Sequence, residues 1–212
     1  MDLMRAVDAY CERLGSGVWD EPVNAVTNLA FVLVALFLWR QSGSVPFARA
    51  LCVVLAGIGV SSGLWHTFAV VWTGAADTLS ILVFILLYLY VANRTFMALS
   101  PLYAGLGVVL FFPYAIAVGL AAGQVPWLGS SAGYVPVAVL IAAYAAWLWR
   151  SAPQTAQGLA VGAALLCVSL FARTVDDPVC QVFPLGTHFL WHLINAIMLG
   201  WMIHVYVRAW RD

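Results

Sequence analysis

The sequence contains no lysine and little charge of either sign: nine arginines and nine acids in 212 residues, a net charge of zero with histidine neutral, 8% charged residues in all. Soluble domains carry about a quarter charged residues, so that class is excluded. No internal repeat, low-complexity tract or hydrophilic stretch long enough for a separate water-soluble domain interrupts the chain. The start does not read as a cleavable leader either, because it lacks an apolar core before residue 24 and carries Asp2, Asp8, Glu12, Asp20 and Glu21.

What is present is apolar. Hydrophobic residues make up 64% of the chain, and the mean hydropathy is +0.96. Runs long enough to cross roughly 30 Å of hydrocarbon at about 1.5 Å per residue recur seven times, near residues 24–40, 47–72, 76–96, 102–122, 134–150, 155–173 and 186–208. The expectation is an all-α integral membrane protein, a single seven-helix transmembrane domain over residues 1–212. Trp19, Trp72, Trp127, Trp201 and Trp210 fall near the ends of these runs and suit the interfacial aromatic belt.

Arginine placement predicts the orientation, since positive residues are retained on the cytoplasmic side. One side receives Arg40, Arg49, Arg94, Arg150, Arg208 and Arg211, the other Arg5, Arg13 and Arg173 with most of the acids. The amino terminus is therefore expected outside and the carboxyl terminus in the cytoplasm. Cys52 and Cys167 fall inside spans and read as small buried apolar residues. Cys11 and Cys180 both lie in outside segments, where an oxidising compartment would join them in a disulfide.

Titratable residues inside a bilayer are costly and mark functional sites. The candidates are Ser62 and His66 in SSGLWHTF, Asp77 in GAADTLS, His188, His192 and Asn195 in FPLGTHFLWHLINA, and His204. His188 and His192 are four apart, on one helical face and about 6 Å apart along the axis. The expected topology brings His66 to the same outer third of the bilayer. Three imidazoles with one open position are a ligand set of the catalytic zinc type. Asp77 begins the third span beyond a turn expected at Thr73-Gly74, where an aspartate also suits a helix cap; Ser62 lies one turn before His66, where serines commonly bond back to a helix carbonyl. Asn195 is one turn beyond His192, as a partner of the ligands or as a helix contact. His204, about 18 Å deeper by helix rise, belongs to the far interface.

Taken together, CERLGSGVWDEPVNAVTNLAF, SSGLWHTF with Asp77 eleven residues beyond its histidine, and FPLGTHFLWHLINA resemble the alkaline ceramidase family, within the seven-helix membrane hydrolases that include the adiponectin receptors. The matching pieces extend over residues 10–196. The resemblance implies a zinc-dependent amidase that cleaves the N-acyl bond of ceramide, releasing a long-chain base and a fatty acid in sphingolipid metabolism. It implies His66, His188 and His192 as zinc ligands, Asp77 as the group that activates water, and Ser62 beside the substrate carbonyl. It also implies calcium at the amino terminus, through Glu12 and Glu21 and with Asn24, Asp8 and Asp20 as further oxygen ligands. The chain departs from the animal enzymes there, in the spacing between CER and WDEP and in the basic Arg13 after Glu12. Asp20 also suits a cap on the first helix.

A different class, a lipid receptor or sensor with a structural zinc site, shares the same helices. The lack of lysine with abundant Ala, Val, Gly and Arg points to a GC-rich genome. The expected setting is a bacterial inner membrane with the site in its outer, periplasmic half. A ceramide or another N-acyl lipid is the expected partner, with no nucleic acid and no obligate protein partner.

Overall fold

The structure is a computed structural model that describes residues 2–15 and 17–212. Seven helices are long and apolar enough to cross a membrane: Pro22–Ser42, Ala48–Phe68, Val71–Thr95, Pro101–Ala122, Pro126–Leu148, Pro153–Thr174 and His188–Arg211. Four of them start on proline, whose fixed φ and missing N–H suit the first turn, where no intrahelical partner exists for that group. The fifth opens as a 3₁₀ segment, Pro126–Tyr134, before becoming α-helical at Val135–Leu148.

The seventh helix is the centre of the bundle. It packs against the sixth, first, second and third helices, and 67% of its apolar window is buried inside the protein, against 11% for the fourth. A continuous core of Phe31, Leu51, Leu55, Ile58, Leu159, Met202 and Ile203 joins these helices. Close approach of the first and second helices requires Gly59, where a Cβ would lie 2.8 Å from the Asn28 carbonyl oxygen and 2.9 Å from Val32 Cγ2. At the end remote from His66, Arg211 donates to Gln41 O at 2.7 Å and Tyr206 to Pro46 O at 2.5 Å, tying the seventh helix to the first connection.

The second and third helices meet differently from the sequence expectation. The second helix ends at Phe68, not near Trp72, and the third begins at Val71, not Ala76. Ala69 makes the turn in the left-handed region at φ +45°, its N–H bonding to Trp65 O at 2.8 Å. Neither glycine nor proline marks this corner, so the sequence pattern passes over it. The amino-terminal segment runs across it: Val7 N–H donates to Ala69 O at 2.8 Å and Val71 N–H to Arg5 O at 3.1 Å. Two smaller expectations also change. Cys167 is exposed on the outer face of the sixth helix instead of buried, and Trp201 lies well inside the seventh helix, its indole N–H donating to Gly158 O at 2.7 Å.

Candidate metal centre

His66 lies in the last turn of the second helix, and His188 and His192 lie in the first two turns of the seventh. All three are buried, with 1%, 2% and 1% of their surfaces exposed. Ring centroids are 5.1 Å apart for His66–His188, 4.6 Å for His66–His192 and 4.7 Å for His188–His192. One ring nitrogen of each lies within 4.8 Å of the other two, close enough to hold a metal ion. His66 Nε2, His192 Nε2 and His188 Nδ1 are buried without any hydrogen-bond partner. Unpartnered buried polar atoms are costly, and a metal ion shared by the three rings would satisfy them.

Neighbouring groups orient two of the rings. His66 Nδ1 faces Glu21 Oε2 at 2.5 Å, so its N–H donates to the carboxylate and Nε2 keeps a free lone pair. His192 Nδ1 faces the Thr27 hydroxyl at 3.0 Å. That hydroxyl donates to Val23 O at 2.7 Å, so it accepts from the imidazole, and Nε2 is again left free. His188 is held through its backbone: Asp176 Oδ1 accepts from the N–H groups of Thr187 at 2.7 Å and His188 at 2.9 Å. The other Asp176 oxygen accepts from Cys11 N–H at 3.0 Å, and Cys11 is joined to Cys180 with Cα atoms 5.4 Å apart. Gly186, at φ +67°, allows the chain to pass against Cys11 and Asp176. Together these contacts dock the amino-terminal segment onto the centre and lay Tyr10 on His188, ring centroids 3.7 Å apart. Burial raises the Tyr10 phenol above its ordinary pKa, the Arg173 charge opposing it, so the hydroxyl stays protonated.

Asp77 sits six residues into the third helix and is no cap; one carboxylate oxygen is buried without a partner. Ser61 bonds back to Ile58 O, but the buried Ser62 side chain lies against Asp77. The Arg173 guanidinium acts on both Asp77 and Tyr10. It stacks 5.5 Å over the Tyr134 ring and 5.8 Å over Trp191, and donates to Ser130 at 2.5 Å. Asn195 is buried with its Oδ1 unpartnered and lines a small cavity with Tyr134 and Trp191. That cavity shares Phe84, Val137 and Met198 with a deeper, almost wholly apolar one of about 70 Å³. His204 is exposed, beside Trp201 and outside the histidine cluster.

Of the residues that the resemblance implies for calcium, both glutamates are engaged by other partners, while the Asn24 Oδ1 is buried without one among the described residues. Both Glu12 oxygens accept from backbone N–H groups, of Val23 at 2.7 Å and Asn24 at 2.8 Å. Glu21 accepts from Arg13 Nε at 2.5 Å on one oxygen, and from His66 and Asn24 on the other. Burial pushes both carboxyls above the ordinary carboxylate range; N–H donors oppose it at Glu12, and Arg13 and Asn24 oppose it at Glu21. Asp8 is exposed, and Asp20 accepts from Gly17 N–H at 2.6 Å instead of capping the first helix, whose N-cap is Glu21. Among the described residues, the histidines are the group of three that could share a metal.

Tyr10, Thr27, Arg173 and Asp176 were not singled out from the sequence. Asp176-Asp177 ahead of a helix start was a usable signal, since acids favour helix N-termini; nothing local distinguishes Tyr10 or Thr27. Compared with models of known protein families and with curated proteins, the chain matches none.

Proposed function

We propose that this chain is a zinc-dependent intramembrane hydrolase of the alkaline ceramidase type, cleaving the N-acyl bond of ceramide or a related N-acyl lipid. One observation carries the reading: three buried histidines, each with an unpartnered ring nitrogen, come close enough to share a metal ion, with Tyr10 stacked on His188 and Asp77, beside Ser62, in electrostatic reach of Tyr10. His66, His188 and His192 would hold the ion, neutral imidazoles suiting zinc. Bound there, zinc would supply an acidified water and a Lewis acid for the carbonyl.

Asp77 takes the proton from the attacking water and returns it to the departing amine, which leaves only when protonated. Ser62 donates a hydrogen bond to the carbonyl oxygen as negative charge gathers there. Tyr10 closes the site against bulk water from the amino-terminal side. The apolar cavities beyond Asn195 and Trp191 lie in the direction that an acyl chain would take. The site faces the outer half of a bacterial inner membrane, the amino terminus outside, so a lipid reaches it laterally.

The test incubates detergent-purified protein with a panel of N-acyl lipids and identifies released fatty acid by mass spectrometry. Wild type releases fatty acid from at least one of them, and Asp77→Asn loses roughly 10²- to 10⁴-fold in rate while retaining zinc. Equal turnover by the variant, or none by wild type on any N-acyl lipid, would sink the proposal.

A further inference from the structure

The amino-terminal oxygen cluster already contains a cation. The guanidinium of Arg13, whose side chain is 3% exposed, donates to Glu21 Oε1 at 2.5 Å, to Gly15 O and Gly17 O at 3.3 Å each, and to His66 O at 3.1 Å. One carboxylate and three backbone carbonyls converging on a point are the oxygen ligands that a calcium ion takes. Here four of the five guanidinium N–H groups use them. The remaining carboxylate capacity is spent too, on His66, Asn24 and the backbone N–H groups of Val23 and Asn24.

We infer that Arg13 is a covalently attached substitute for a dissociable divalent cation: it holds Glu21 against His66 permanently, and the centre assembles without calcium. A divalent ion would have to displace a buried guanidinium from every partner and meet its charge on the way. The arrangement also joins three parts of the chain. Arg13 lies two residues beyond the Cys11–Cys180 disulfide, bonds to Glu21 at the N-cap of the first helix, and reaches the carbonyl of His66 in the second. Arg13 is therefore a positioning residue, acting on a metal ligand through Glu21. This inference rests on the oxygen cluster and not on the reaction catalysed.

The test follows the apparent melting temperature and zinc content of detergent-purified protein in millimolar calcium, in millimolar magnesium and in neither. Wild type is expected to melt at the same temperature in all three. Arg13→Ala, which leaves Glu21 and the carbonyls without their cation, is expected to melt roughly 5–15 °C lower, to bind zinc less tightly, and to regain part of both with calcium. Arg13→Lys keeps a charge there and remains indifferent to calcium. A saturable calcium-induced rise in wild type overturns the inference, and so does Arg13→Ala with wild-type stability and zinc retention. Neither readout depends on lipid hydrolysis, so its failure is distinguishable from that of the hydrolase proposal.

Discussion

Asp77 is the only acid between Glu21 and Asp176 in the sequence, and one of its oxygens is buried without a partner. A lone intramembrane carboxylate is expensive, and a structural one would show two satisfied oxygens, as Glu12 does. The histidines show the same logic: each makes at most one side-chain hydrogen bond and leaves a buried nitrogen bare. Glu21 matters most among their supports, because it fixes the His66 tautomer and neutralises Arg13 together. Glu21→Gln is expected to weaken zinc binding by roughly 10- to 100-fold, the usual cost of losing a carboxylate behind a ligating histidine. Competition with a chromophoric chelator in detergent measures this, and an unchanged affinity would contradict the assigned role.

At the level of helices, the His188/His192 pair could be read directly, since a spacing of four puts both rings on one face. His66 could be placed only by counting spans. That count survived an error in its boundary, because His66 is three residues from the Ala69 turn and stays at the correct end of its helix. The second-to-third corner was misplaced by several residues because an alanine in the left-handed region makes it, without the glycine or proline that announces a turn. The amino-terminal segment was the least legible. Of its docking contacts the Cys11–Cys180 disulfide was legible, from two cysteines on the same side, whereas those to Asp176 and Ala69 lie far away in sequence and no local pattern encodes them. The closeness of the first and second helices brings Glu21 to His66, and Gly59 permits that closeness. Gly59→Val is expected to force the helices apart and cost about 1–3 kcal/mol. The apparent melting temperature should fall and zinc affinity with it; a variant matching wild type in both would show that the contact does not set the site.

For the whole molecule, seven apolar helices make a bundle whose most buried member carries two of the three clustered histidines in its first two turns. The third histidine comes from the second helix. The supports come from the first helix, the segment before it and the turn before the seventh. Such a centre exists only when the bundle is closed, which explains why composition announces the membrane class while revealing nothing of Tyr10 or Arg13.

The most direct measurement of the central claim is the metal content, by inductively coupled plasma mass spectrometry, of monodisperse protein purified in detergent without chelators. Wild type is expected to hold about one zinc per chain, the stoichiometry of a single three-histidine site, and His188→Ala and His192→Ala close to none while remaining helical. Folded wild-type protein that retains no transition metal after zinc loading, or histidine variants that keep the full complement, would contradict it.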